Sequence, residues 1–221
     1  MGKLLNFITP YHTRAKDRDY LGRMMDDKVT CMETARQFGE LFWDGDRRYG
    51  YGGYKYDGRW KELAEKLIEY YNLPPNAAIL DIGCGKAHLL YELSLLLPQA
   101  TVRGFDVSEY AIHNAPEAIR DNVFVHAAEK TYPFEDNQFD LVFSLNVLHN
   151  LQIFDIEAAL KEIERVGKNK WVVVEAYRNP QELFNLQCWA LTAEAFFRPE
   201  EWVWMFDKFG YNGEYEFIYF E

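Results

Sequence analysis

Residues 77–88 read AAILDIGCGKAH. An apolar run, 77–80, ends in Asp81; Gly83 and Gly85 follow at once, and an apolar helical pattern resumes at Leu89. This order predicts a strand, a tight glycine turn and a helix. Glycine has no Cβ, so the turn can take positive φ and let a ligand lie against its backbone. The next helix opens with free N–H groups. Asp81 adds a carboxylate at the strand's C-terminal end, where open α/β sheets bind ligands. Two glycines in a strand–helix turn also occur for steric reasons alone, so the motif carries weight only with its surroundings.

Those surroundings support it. A second strand, 101–105, ends at Asp106, 25 residues beyond Asp81. An acid at that point is placed to accept ribose hydroxyls. The dinucleotide fingerprint GxGxxG requires glycine at position 88, where His88 stands. A pyrophosphate therefore fits poorly, which disfavours an NAD-dependent oxidoreductase, while a nucleoside without phosphates remains compatible.

The motif DIGCGKA at 81–87 resembles the first motif of class I S-adenosylmethionine (SAM)-dependent methyltransferases. Further matches follow in order: GFDVSEYAI at 104–112, AAEKTYPFEDNQFDLVFSLNVLHNL at 127–151 and FRPEEWVWMFDKFGY at 197–211. The likeness runs from residue 77 onward, and the order and spacing of the pieces make it specific. It implies a Rossmann-like, doubly wound, mostly parallel sheet with helices on both faces. It also implies SAM as cofactor, with S-adenosylhomocysteine (SAH) as product. Asp81, Gly83, Cys84, Gly85, Asp106, Val107, Ala128, Glu129 and Asn146 are then the cofactor-binding candidates. The family often has an acid where Ala127 stands, so the adenine contact must come from backbone amides or elsewhere. The chain as a whole is similar to small methyltransferases of bacterial surface-glycan and related small-molecule pathways.

Composition sets the outer limits. The 221 residues are enough for one α/β domain with an added cap, and 48% hydrophobic residues allow a sizeable core. A net charge of −11 argues against a general nucleic-acid binder, though a local basic pocket is compatible with it. Cys31, Cys84 and Cys188 lie far apart and show neither metal spacing nor a disulfide framework, which predicts a reducing, cytoplasmic setting and no bound metal. The apolar run before Pro10 is too short for a signal peptide, and no stretch approaches the ~20 apolar residues of a membrane span.

Residues 1–59 read as a separate cap and 60–221 as the SAM-binding domain. Within the cap, 11–24 is polar with charges of both signs. Val29, Met32, Ala35 and Phe38 suggest a helix, packed on the domain or acting as a lid. Residues 43–60, WDGDRRYGYGGYKYDGRW, hold five glycines, four tyrosines, three arginines and a lysine. Such a stretch is no ordinary helix. It is either an ordered surface loop with solvated charges or a substrate loop. The substrate reading is preferred, because tyrosines supply rigid contact area and arginine forks suit phosphate or carboxylate. Arg47, Arg48, Tyr49, Tyr51, Tyr54, Lys55 and Tyr56 are the substrate-binding candidates, with Arg59 a further cation. The segment is expected to be mobile without ligands.

Trp60, Leu63, Ala64, Leu67, Ile68 and Tyr71 form an amphipathic helix that ends before Pro74 and Pro75. Ser108 is a plausible N-cap for a helix running through Ile119. Strands are expected at 123–126, 139–145, 171–174 and 214–220. The family usually adds one more strand, hairpin-paired to the last; without it the sheet has six strands, or a dimer covers its edge. A monomer and a homodimer both stay open.

Asn146 follows the strand whose end faces the methyl donor in the family. His149 lies just beyond and is a candidate general base, since neutral imidazole accepts a proton near pH 7. A structural histidine bonded to the next turn is the alternative. Glu175, ending the following strand, is the second catalytic candidate, or a simple partner of Arg178. Asn185, Gln187 and Trp189 are possible pocket contacts. The reading is methyl transfer to a small polar, anionic or sugar-like acceptor, with oxygen slightly favoured. N-methylation of a small amine and a catalytically inactive SAM-binding regulator are the alternatives.

Overall fold

The computed structural model describes residues 2–12, 18–52 and 54–221. Residues 13–17 of the charged run and Gly53 of the glycine–tyrosine segment lie outside them. Four short helices come first: α1 (Thr9–His12), α2 (Tyr20–Met25), α3 (Lys28–Ala35) and α4 (Glu40–Trp43). The alternating core follows: α5 (Lys61–Tyr70), β1 (Ala78–Ile82), α6 (His88–Leu96), β2 (Thr101–Asp106), α7 (Glu109–His113), β3 (Val123–Val125) and β4 (Phe139–Leu145). It closes with α8 (Ile153–Val166), β5 (Gly167–Glu175), α9 (Pro180–Trp189), α10 (Pro199–Lys208) and β6 (Glu214–Ile218).

The six strands lie in the order β3-β2-β1-β4-β5-β6 and every pairing is parallel. This is a Rossmann-like α/β fold, as the motifs predicted. Strand alternation sorts side chains to the two faces. Ile79, Phe143, Trp171 and Val173 face α5 and α6; Leu80, Val142, Val172 and Val174 face α8 and α10. Both faces are covered, so the strands read as continuous apolar runs. On α8, Ile156, Ala159, Leu160, Ile163 and Val166 are fully buried at helical spacing, and each large one contributes about 1.5–3 kcal/mol. Chain order reverses between β1 and β4, and at such a switch point a crevice opens at the strands' C-terminal ends.

The sheet's β6 edge is closed by the chain itself. Leu4 pairs with Tyr215 in a parallel bridge. The Glu216 carboxylate, fully buried, accepts the N–H groups of Phe7 (2.8 Å), Ile8 (2.8 Å) and Thr9 (2.7 Å) and the Thr9 hydroxyl (2.9 Å). Residues 4–12 thus form a strap along the edge strand, which hides an otherwise open row of backbone groups.

Several boundaries differ from the sequence reading. The helix capped by Ser108 stops at His113, because Pro116 lacks the N–H needed to continue it; residues 117–122 form a 3₁₀ turn instead. β5 begins at Gly167, directly after α8, four residues earlier than the apolar run suggests. β6 ends at Ile218. α3 buries Cys31 and Ala35 with Met32 and Phe38 packed against them, so of the expected face only Val29 turns outward, 66% exposed.

Candidate active site

The glycine turn is left-handed at three positions: Gly83 (φ 73°), Gly85 (53°) and Ala87 (57°). A Cβ on Gly83 would lie 2.2 Å from Val147 Cγ2, so glycine there is a steric requirement. The N–H groups of Gly83 and Cys84 both donate to Phe105 O at the end of β2. Asp106 is held by two backbone donors: Gly85 N to Oδ2 and Ser108 N to Oδ1, each 2.8 Å. Its remaining lone pairs face the crevice. Burial raises the Asp106 pKa, and the two N–H groups oppose that rise.

Asp81 is 4% exposed and its carboxylate has no hydrogen-bond partner among the described residues. Burial, with Asp106 close by, pushes its pKa well above the ordinary carboxylate range. A buried carboxylate in this state is completed by a cation or a hydrogen-bond donor from a ligand.

These groups open into a cavity of about 600 Å³, the size of a small-molecule site. Asp81, Gly83, Cys84, Gly85, Asp106, Val107, Ala128, Glu129 and Asn146 all line it, as do His149 and Glu175. Asn146 has φ 60°, a conformation that asparagine tolerates better than most residues. His88 also lines it, with its ring edge-on to Tyr56 at 5.6 Å.

At the end of β5, the Glu175 N–H donates to His149 Nδ1 at 3.2 Å. Nδ1 is therefore an acceptor and the neutral ring carries its proton on Nε2. Nε2 lies 3.5 Å from Glu175 Oε2. The other side of the histidine is fixed as well, since His149 O accepts from Glu194 N and Ala195 N, both 2.9 Å. Trp202 Nε1 donates to Glu175 O at 3.0 Å. Burial pushes His149 down to about 3 and pushes Glu175 up to about 8. The expectation of His149 as the proton acceptor gives way here: its one free lone pair already takes a backbone N–H. Glu175 is the group left with basic oxygens facing the cavity, and it does not pair with Arg178, which bonds Glu182 and Glu221.

The glycine–tyrosine segment divides. Arg47, Tyr51 and Tyr54 line the cavity. Arg48, Tyr49, Lys55 and Tyr56 do not: Arg48 pairs with Asp26 at 2.8 Å and Tyr56 donates to Glu92 at 2.8 Å. Arg59 is held by Asp57. The segment is ordered by its rings: Phe42, Trp43, Tyr51 and Tyr54 pack on one another with centroids 4.6–5.8 Å apart. Trp43 Nε1 donates to Ser108 Oγ at 2.8 Å, and the Lys86 ammonium binds Asp44 at 2.6 Å. In the described part of the segment the aromatic content supplies burial that offsets the glycine entropy.

Among the contributors that escaped the sequence reading, four stand out. His12 and Arg18 come from the strap and the charged run, Thr192 from the turn after α9, and Trp43 closes over the glycine turn. Of the three contacts proposed from 180–197, only Trp189 lines the cavity. Asn185 instead donates to Phe220 O.

Residues 80–173 match the model of the methyltransferase domain. This stretch is a methyltransferase domain of the class I SAM-dependent type. It is 31% identical to the human protein named arginine-hydroxylase NDUFAF5, mitochondrial, over 63% of this chain and 40% of that one. It is 29% identical to malonyl-[acyl-carrier protein] O-methyltransferase of Legionella pneumophila, over 66% of this chain and 53% of the relative. The chain thus spans about half or less of the length of these curated relatives. Among solved structures, the YcgJ protein of Bacillus subtilis superposes with a TM-score of 0.53 at 22% identity, covering 67% of each chain, a likeness of fold.

The family's cofactor is SAM, and the site's chemistry fits it. The unpartnered Asp81 carboxylate suits the ammonium of the cofactor's methionine part. The doubly held Asp106 suits the ribose hydroxyls. The Cβ-free turn leaves the backbone open to close approach. No described helix of this methyltransferase is long and apolar enough to cross a membrane.

Proposed function

We propose that this methyltransferase acts on a small polar acceptor, anionic or sugar-like, with oxygen as the favoured methyl-accepting atom. The observation that carries the reading is the buried His149–Glu175 pair, which opens into the same cavity as Asp81, Asp106 and the glycine turn. SAM would be held by Asp81, Gly83, Cys84, Gly85, Asp106 and Val107, with Ala128 and Glu129 beside the adenine and Asn146 beside the methionine part. When bound, it supplies a methyl group on a sulfonium, which is already an activated donor. The protein then has to orient the acceptor and exclude water.

Glu175 takes the proton of the acceptor hydroxyl, in its ionised form. His149 acts through Glu175: its Nε2–H faces the carboxylate and its Nδ1 anchors the β5 backbone, so the base has one orientation. Arg47, Tyr51 and Tyr54 form the acceptor wall, with Tyr51 Oη fixed by Leu191 N at 2.8 Å. The O-methyltransferase among the relatives supports oxygen as the acceptor atom. A nitrogen acceptor is the second reading, favoured by the lack of any cation bonded to Glu175 among the described residues; a neutral amine needs orientation more than a base. The three free cysteines support a reducing, cytoplasmic setting.

Calorimetric titration with SAM, SAH and NAD, followed by a screen for SAH release against hydroxy acids, sugars and amines, tests the reading. SAM and SAH should bind and NAD should not. Turnover with a hydroxyl acceptor should be lost in Glu175→Gln with SAM affinity kept. Binding of SAM without turnover on any acceptor class would instead favour a regulatory protein.

A further inference from the structure

Three guanidinium groups crowd the indole of Trp189, at the end of α9. Arg23 lies 4.5 Å from the ring centroid, Arg47 5.4 Å and Arg18 5.6 Å. Like charges set this close repel. In a chain with 35 acidic and 24 basic residues, acids to neutralise them are plentiful. Yet among the described residues none of the three is bonded to a carboxylate, while Arg36, Arg48, Arg165 and Arg178 all are.

The three differ in what they have left to give. Arg23 is used up on backbone carbonyls: Nε to Trp189 O (2.9 Å), one Nη to Arg47 O (3.0 Å), the other to Gly50 O (2.9 Å). It holds the segment that carries Arg47 and is a positioning residue. Arg47 makes one such bond, to Tyr51 O at 2.7 Å. Among the described residues Arg18 makes only long contacts, to His12, of 3.3 and 3.4 Å. Arg18 and Arg47 both line the cavity and keep most of their five N–H donors. The aromatic faces of Trp189 and Phe220 hold Arg18 in place without consuming those donors.

We propose that Arg18 and Arg47, braced on Trp189, form an oxyanion subsite that binds a carboxylate or phosphate on the methyl acceptor. This rests on the cavity being the methyl-transfer site, and it names the charged end of the molecule whose other end meets Glu175. Planar guanidinium forks match both oxyanions bidentately. The subsite also explains the uncompensated charge: the counter-ion arrives with the substrate. Arg18 is felt across the cavity, since its charge opposes the rise of the Glu175 pKa.

The test uses the full chain and two probes, glutarate for carboxylates and inorganic phosphate for phosphates, titrated calorimetrically with and without SAH. One probe should bind in the millimolar range and weaken with salt, and the preferred probe reads the acceptor's anion. Combined Arg18→Gln and Arg47→Gln substitution should weaken it by about ten-fold or more. The double lysine variant, which keeps charge but loses the fork, should fall between. SAH affinity and melting temperature should stay near those of the unsubstituted chain in both, which separates lost binding from lost folding. Failure of both probes to bind, or equal binding by the double glutamine variant, overturns the subsite. If SAH itself fails to bind the unsubstituted chain, it is the methyltransferase reading that falls, and the titration without SAH still decides the subsite.

Discussion

His149 grips Glu175 at two places, accepting its backbone N–H on Nδ1 at 3.2 Å and facing its carboxylate with Nε2 at 3.5 Å. One ring therefore sets both where the end of β5 lies and where its carboxylate points. The neighbours on either side, Glu194 and Ala195 bonding His149 O and Trp202 bonding Glu175 O, leave the pair little freedom.

The first prediction is a pH profile. Burial pushes Glu175 up to about 8, so the ionised base accumulates only as pH rises through that value. The rate should rise with pH through about 8 and level off above it. Glu175→Gln should lower kcat by about a hundred-fold and abolish that dependence, with SAM affinity kept. A rate that is flat from pH 6 to about 9 would remove Glu175 as the base.

The pair should also shape stability against pH, with opposite signs. His149 is held down to about 3 when folded and has an ordinary value of 6.5 when unfolded. Between those values the unfolded chain binds more protons, so stability falls as pH falls from 6.5 toward 3. Glu175 runs from 4.5 unfolded to about 8 folded; there the folded chain binds more protons, and stability falls as pH rises through that window. Urea midpoints should show His149→Gln flattening the acid limb and Glu175→Gln the neutral-to-alkaline limb.

Cofactor affinity should respond to two separate kinds of damage. Asp106→Ala removes an acceptor of ribose hydroxyls and should weaken SAM by about five- to hundred-fold, a loss of roughly 1–3 kcal/mol. Gly83→Ala puts a Cβ 2.2 Å from Val147 at φ 73° and should lower both affinity and melting temperature. Calorimetry and thermal melting read the two effects, and an unchanged SAM affinity in Asp106→Ala would release Asp106 from the cofactor.

Glu216 gives the fourth prediction. Glu216→Ala leaves three backbone N–H groups unbonded, which should destabilise the fold by about 3 kcal/mol or more. Because the strap leads to His12 and Arg18, KM for the acceptor should rise while the Kd for SAM stays within a few-fold. Hydrogen exchange should show residues 5–9 losing protection first.

The cofactor half was legible in the sequence because its determinants are local. Gly83 and Gly85 follow β1 and Asp106 ends β2, strands that announce themselves by apolar residues, and a turn's φ values are set within a few residues. The acceptor half was not, because its determinants are long-range. Arg18 sits in a mixed-charge run with no periodicity, and only the fold brings it to Trp189. Arg47 and Arg48 are adjacent and chemically alike, yet one faces the cavity and the other pairs with Asp26. His149 was named from the sequence with two roles open, because only the fold shows which ring nitrogen the Glu175 backbone uses.

The strap along β6 sets an order of assembly. Phe7 meets Glu216 across 209 residues, and contacts of such separation form late because the chain entropy of closing them comes first. As synthesis proceeds, β1 to β5 can pair before β6 exists, whereas residues 4–12 have nothing to dock on until it does. The crevice beside Asp81 and Asp106 can thus form in a nascent chain whose strap, with His12 at its end, still has nothing to dock on, and a ligand present early would find that half ready to act as a template for the remainder.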